Sequence, residues 1–253
     1  MVPQASIDVR SFLRHPDPAQ LLYQLREIVD ERVYLHHGVE VGEGDVVFDV
    51  GANVGVAAAF FAANCRAVVY SFEPVKPIYD ILRENLLPFP NCVAHNVGLS
   101  SSSGTAEITY YPNADAMSGL YADPAADRLF TLACFRNLGM RPDAAERALA
   151  GRFDDPVTLP CELRTLSSVL RDHAVDRIRL LKIDVERAEL DVLNGIDDGH
   201  WGRIDQIVAE VHGDDGRLAS VAALLTARGF SLATEQEEAM RGTDVHLVYA
   251  TRT

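Results

Sequence analysis

Positive charge is scarce in this 253-residue chain: 23 Lys and Arg stand against 37 Asp and Glu, a formal net charge of −14. An acidic balance spread along the chain argues against a phosphate-backbone partner and against an anionic membrane surface. Cysteine is sparse too. Cys65, Cys92, Cys134 and Cys161 form no C-x-x-C pair, which argues against a disulfide framework or a zinc site and leaves reduced core thiols of a cytoplasmic protein as the expectation. No apolar run nears the ~18 residues of a membrane span. The N-terminus shows no charged–apolar–small succession, so a secretory leader is not expected. Repeats, low-complexity tracts and long polar linkers are also missing. The hydrophobic fraction of 48% is ordinary for a globular protein. The length suits one large domain or two small ones.

What is present is concentrated in one stretch, Val46-Val47-Phe48-Asp49-Val50-Gly51-Ala52-Asn53-Val54-Gly55. The apolar run reads as a buried parallel strand. Gly51 and Gly55 allow a sharp turn and close approach of a ligand to the backbone. The small-residue helix that follows presents N–H groups at its start. A second apolar run, Ala67 to Phe72, ends in Glu73. That acid falls roughly 20 residues past the turn, where nucleotide-binding α/β folds hold ribose hydroxyls. A dinucleotide fingerprint would carry a third glycine. Here the turn has Asn53 inside it and Asp49 before it. An acid beside the turn repels a pyrophosphate and attracts an ammonium group. This favours S-adenosylmethionine, which carries an amino group, a sulfonium and a ribose but no phosphate. Asp49, Gly51, Asn53, Gly55 and Glu73 are the expected cofactor residues, with the adenine near Val97 to Ser100.

Strand-like runs alternate with helical ones along most of the chain, which predicts a doubly wound, Rossmann-like α/β fold with a mostly parallel sheet and helices on both faces. Residues 1–45 read as an N-terminal helical arm, with Leu21, Leu22, Leu25, Ile28 and Val29 at helical spacing behind Pro16 and Pro18. Residues 46–253 form the main domain. Strands are expected at Cys92 to Leu99, Ala106 to Tyr111, Arg177 to Val185, Ile204 to Val211, Phe230 to Thr234 and Val245 to Tyr249, the last two antiparallel. Residues 112–156 break the alternation and exceed an ordinary connection. They contain Met117, Leu120, Leu129, Phe130, Phe135 and Met140, so they must bury something. A helical insertion is expected, acting as a lid or acceptor wall, or else as a packing or dimer contact.

Four blocks in order carry a family resemblance. They are Phe48-Asp49-Val50-Gly51-Ala52-Asn53-Val54-Gly55, Phe72-Glu73-Pro74, Leu181-Lys182-Ile183-Asp184-Val185-Glu186 with Ala188-Glu189, and Ala209-Glu210-Val211-His212. With these the chain resembles the FkbM family of class I S-adenosylmethionine-dependent methyltransferases across roughly Val46 to Tyr249. The resemblance implies a seven-stranded sheet and methyl transfer, usually to oxygen, on sugars, polyketides or other natural products. One departure is visible: Arg187 stands where the family usually has glycine.

In-line methyl transfer to a hydroxyl needs a held acceptor and a proton acceptor. Lys182, Asp184 and Glu186 alternate at one strand exit, and Glu210 and His212 at the next. Ligands gather at such carboxyl ends. His212, oriented by Glu186 or Glu210, is the expected base because imidazole titrates near neutrality, with Asp184 near the sulfonium. A divalent ion such as magnesium on Asp184, Glu210 and His212 is the alternative. Lys182 reads as neutralising Glu186 or Glu210, and Glu189 as a solvated helix face. His36 or His37 offers another base. Nitrogen or carboxylate acceptors stay open, the latter needing a clamp such as Arg187 or Arg136. A nicotinamide dehydrogenase and a binding protein without turnover are the rival readings. The expected partner is a small-molecule acceptor, without nucleic acid or membrane, and a homodimer stays open.

Overall fold

The apolar runs become strands of one sheet. The computed structural model describes residues 8–213 and 216–252; the start of the expected N-terminal arm, residues 1–7, lies outside them. The arm contributes α1, Pro18–Gln24. Its start is set by Pro18 and by the Asp17 carboxylate, which accepts from the Ala19 and Gln20 N–H groups. It runs on through a wider π-helical turn, Leu25–Asp30. The main domain then alternates: β1 Val46–Val50, α2 Val56–Phe60, β2 Val68–Phe72, α3 Lys76–Asn85 and β3 Cys92–His95.

Two short segments leave this sheet. β4 Gly98–Leu99 and β5 Gly104–Tyr110 precede the helices α4 Pro124–Asn137 and α5 Pro142–Leu149. β6 Val157–Arg164 follows. The second half of the main sheet comes after: α6 Leu166–Asp172, β7 Ile178–Ile183, α7 Glu189–Asn194, β8 Ile204–His212, α8 Arg217–Ala227, β9 Ser231–Glu235 and β10 Val245–Thr251.

The sheet order is β3-β2-β1-β7-β8-β10-β9. β1 pairs parallel with β2 and β7, and β7 with β8. β10 pairs antiparallel with both β8 and β9. The expected seven strands and the antiparallel pair at the end are therefore present. Alternation along the strands feeds two cores. Val47, Val69, Leu180 and Val208 pack with α2, α3 and the arm on one face. Phe48, Phe72, Leu181, Ile207 and Val248 pack with α6, α7 and α8 on the other.

The run Cys92 to Leu99 is not one strand. Asn96 donates from its side chain to the Glu73 and Pro74 carbonyls, at 2.9 and 3.1 Å, and diverts the chain. Gly98 and Leu99 pair instead with Leu163 and Arg164 of β6. β4, β6 and β5 make a separate three-stranded sheet. β6 was hidden in the sequence by Pro160, which usually demotes a strand. It is tolerated because β4 reaches only Leu163 and Arg164, leaving that flank at Pro160 open.

One overhang positions the chemistry. The β7–β8 register ends at Ile183 opposite Ala209. Glu210 to His212 continue beyond it, held on their other side by β10, with Leu247 opposite Glu210 and Val245 opposite His212. Among the described residues no helix is long and apolar enough to cross a membrane.

Candidate active site

The carboxyl ends of β1, β2, β7 and β8 open onto one cavity of about 390 Å³. Its floor is the glycine turn. Gly51 and Gly55 have φ of +75° and +90°, and Asn53 between them has +46°. A Cβ at Gly51 would lie 1.6 Å from the Asp184 carbonyl oxygen. Only glycine fits there, because the β7 exit presses on the turn.

Asp49 does not reach this cavity. It is fully buried, and the ammonium it meets belongs to the chain itself: Lys182 Nζ stands 3.1 Å from Asp49 Oδ1. The same ammonium donates to the Gly51 carbonyl at 2.7 Å and lies 3.4 Å from Asp184 Oδ2. Burial would lower Lys182, but Asp49 and Asp184 outweigh it and hold the ammonium above its ordinary range. Lys182 thus neutralises these two acids rather than Glu186 or Glu210. Asp49 lies beneath the turn, paired with Lys182, and is not part of the cavity lining.

Glu73 is aimed by the turn. Its Oε2 accepts from the Asn53 N–H at 3.0 Å, and its Oε1 from the Val75 N–H at 2.9 Å. Burial raises its carboxyl to about 7 in spite of these bonds. Beside it Pro74, Gly98, Leu99, Ile108 and Leu163 make an apolar slot in the cavity wall. Gly98 and Leu99 lie where the sequence predicts an adenine.

The same cavity is lined by a wall of carboxylates: Asp184, Glu186 and Glu210, with Glu27 from the arm. Burial, with Asp184 next, pushes Glu210 well above the usual carboxylate range. The remaining walls are Tyr34 of the arm and apolar residues of the insertion, among them Met117, Phe130, Phe135 and Met140.

His212 sits behind this wall and does not line the cavity. Its Nδ1 is 3.1 Å from Glu189 Oε1 and its Nε2 is 3.2 Å from Glu186 Oε2. Burial pulls the ring down, but Glu186 and Glu189 outweigh it and hold His212 well above the usual imidazole range. A ring whose two nitrogens face Glu186 and Glu189, and which does not itself line the cavity, is not the free base the sequence suggests. Glu189 is fully buried rather than solvated. The expected ion triad changes as well. Asp184 is held by Lys182, and the donors that converge are Glu186, Glu210 and His212, within 4.8 Å of one another.

The change follows from two left-handed residues in a row, Glu186 at φ +50° and Arg187 at +76°. They end the alternation of β7 and swing Glu186 toward His212. Arg187 holds this uncommon shape by reaching Asp127 of α4, Nη2 to Oδ1 at 2.7 Å. It is a tie to the insertion, not a clamp for an acceptor carboxylate. Arg136 is exposed and off the cavity. His36 and His37 both pair with Glu235 at 3.1 Å, also away from the cavity. Trp201 is buried in the second core, against Phe230.

The residues present fit a nucleoside cofactor without phosphates. Glu73 offers a diol a carboxylate already aimed by two backbone donors. The slot is lined by apolar side chains, and the turn admits no Cβ at Gly51. Comparison with known proteins gives the same direction. Residues 49–232 match the family described as the methyltransferase FkbM domain. The chain is 40% identical over 243 residues to the 31-O-demethyl-FK506 methyltransferase FkbM of Streptomyces tacrolimicus, covering 93% of this chain and 90% of that one. It is 35% identical over 246 residues to the AMB antimetabolite synthetase AmbE of Pseudomonas aeruginosa, covering 91% of this chain but 12% of that protein. It is 33% identical over 232 residues to the methyltransferase sdnD of Sordaria araneosa, covering 87% of this chain and 85% of that one.

Proposed function

The chain belongs to the FkbM methyltransferase family, and from that premise we propose that it O-methylates a hydroxyl of a small-molecule natural product, a polyketide, macrolide or sugar. Its cofactor is S-adenosylmethionine, which when bound supplies a sulfonium methyl group open to in-line attack. Glu73 accepts from both ribose hydroxyls. The Gly51 to Gly55 turn cradles the methionine portion, and the slot of Pro74, Leu99, Ile108 and Leu163 takes the adenine. Asp184 lies at the join between this half and the acceptor half.

The observation that carries the acceptor reading is a contrast of walls. Apolar side chains of the insertion and the carboxylates Asp184, Glu186 and Glu210 line one and the same cavity. An apolar acceptor lies against the first, and its hydroxyl gives its proton to the second. A positioned acceptor of this kind supplies ~10²–10⁴-fold in rate. The same anionic wall disfavours a carboxylate acceptor. The name of the Streptomyces relative, which specifies 31-O-demethyl-FK506, supports a hydroxyl.

The test is direct. Full-length protein is incubated with S-adenosylmethionine and a panel of O-demethyl macrolides, polyketides and sugars, and products are located by mass spectrometry. One methyl on oxygen is expected; a methyl on nitrogen or carboxylate would overturn the reading. Glu73→Ala should weaken cofactor binding by about ten- to hundred-fold, the loss of a charged hydrogen-bond acceptor. An unchanged dissociation constant by calorimetry would remove Glu73 from the cofactor site.

A further inference from the structure

The carboxylate wall has an unusual gap in its hydrogen bonding. His212 Nε2 and Glu186 Oε2 are 3.2 Å apart, yet neither atom has a hydrogen-bond partner, although both are buried. The N–H direction misses the oxygen. Glu210, the third member, has no hydrogen bond or ion pair among the described residues, and its carboxylate opens to the cavity. The other face of the ring is tightly specified. Nδ1 pairs with Glu189 Oε1, and that same oxygen accepts the Arg187 N–H at 2.9 Å.

We propose that Glu186, Glu210 and His212 Nε2 hold a divalent metal ion at the acceptor end of the cavity. The geometry of the three donors supports this. Two neighbouring ligands of an octahedral ion bound at ~2.1 Å lie ~3 Å apart, close to the 3.2 Å between Nε2 and Oε2. All three donor atoms fall within 4.8 Å of one another, near the ~4 Å width of such a shell. The Glu189–His212 pair supplies what metal-bound histidines ordinarily have, a carboxylate on the second ring nitrogen that fixes the tautomer and the ring plane. The buried, unpartnered Nε2 aimed at two carboxylates separates this cluster from an ordinary acidic patch.

Two carboxylates and an imidazole suit an ion that accepts both oxygen and nitrogen, such as manganese or zinc. Magnesium prefers an all-oxygen shell and retained waters. Three protein ligands leave positions open toward the cavity. Its role rests on the O-methylation reading: an acceptor oxygen taking an open position would lose its proton more readily. With Glu210 engaged on the ion, Asp184 is left as the carboxylate that receives the proton.

The test uses chelator-treated full-length protein titrated with Mn²⁺, free ion being read by electron paramagnetic resonance, without cofactor or acceptor. One ion per chain is expected. Glu210→Gln keeps the shape of the side chain and should weaken Mn²⁺ binding at least ten-fold, with the thermal transition and the S-adenosylmethionine dissociation constant unchanged. Co²⁺ in the wild-type protein should show a spectrum with nitrogen ligation that His212→Gln removes. Absence of Mn²⁺, Co²⁺ and Zn²⁺ binding to the wild-type chain, or equal binding by Glu210→Gln, would overturn the site. The separate cofactor titration distinguishes that result from failure of the methyl-transfer reading.

Discussion

Glu73 shows how one residue carries a cost of burial at the place proposed for the cofactor. In the folded chain its carboxyl titrates at about 7, against an ordinary 4.5, because burial penalises the charge. Folding therefore takes up a proton between these values. The stability associated with the neutral carboxyl is complete below about 4.5 and is lost as the pH rises through about 7. The loss amounts to about 3 kcal/mol above that point. Glu73→Gln does not titrate, so its stability relative to wild type should climb across this window. The glutamine turns an NH₂ toward one backbone donor, which lowers the baseline, so the slope is the readout. Denaturant melts of both proteins from pH 5 to 8 measure it; parallel curves would show that Glu73 does not titrate there. Cofactor affinity of the wild type should fall in the opposite direction, weakening as the pH drops below about 7, since the ribose hydroxyls need the ionised acceptor. The placement of Glu73 was legible in the chain: a strand-end acid roughly 20 residues past a glycine turn comes to the same cavity as the turn. Asp49 was misread because sequence spacing puts an acid beside the turn without showing that Lys182 occupies it.

At the scale of elements, the join between β7 and α7 ties the site to the insertion. Two consecutive non-glycine residues with positive φ cost roughly 1–3 kcal/mol each. Arg187 offsets this through the fully buried Asp127, whose Oδ2 also accepts from the Tyr111 hydroxyl at 2.9 Å. The Arg187 guanidinium donates to the Tyr121 carbonyl at 3.3 Å as well. Arg187→Gly relieves the backbone but leaves a buried carboxylate without its cation, a change of about 3–5 kcal/mol against the insertion. Hydrogen exchange should quicken across residues 112–156 in this variant, with the β1, β7 and β8 amides protected as before. Equal exchange in the insertion would show that the ion pair does not hold it. This join also marks where the sequence stops being readable. Alternation puts Lys182, Asp184 and Glu186 on one face only while β7 lasts, and β7 ends at Ile183. The left-handed pair beyond it is what carries Glu186 to His212, and no pattern of polar and apolar residues announces it. The central strands of the main sheet were legible because they are near-continuous apolar runs, buried on both faces. β6 was not, because Pro160 interrupts it while its partner strand lies far upstream.

For the whole molecule, the cavity is closed from two sides that meet. The arm supplies Tyr23, Glu27 and Tyr34, the insertion supplies Met117, Phe130 and Phe135, and the two clasp through Arg152 and Asp17 at 2.8 Å. His15 and Asp115 lie 3.5 Å apart, buried beneath them. Arg152→Ala should raise the cofactor dissociation rate several-fold in stopped flow, with the main unfolding transition little moved, because a half-exposed pair contributes modestly to stability. An unaltered rate would mean that exchange does not pass between arm and insertion. The overhang of β8 has its own consequence, in the order of events rather than in space. Glu210 and His212 lie past the end of β7 and rely on Leu247 and Val245 of β10 for their remaining backbone partners. β10 enters the sheet between β8 and β9, after both have been made. During synthesis the cofactor turn can therefore assemble well before the acceptor wall exists. In the interval β8 is an open edge rich in Ile, Val and Ala, a template for pairing with another nascent chain. A polypeptide halted before Val245 should aggregate rather than bind cofactor weakly, because β10 is the strand that covers the open flank of β8.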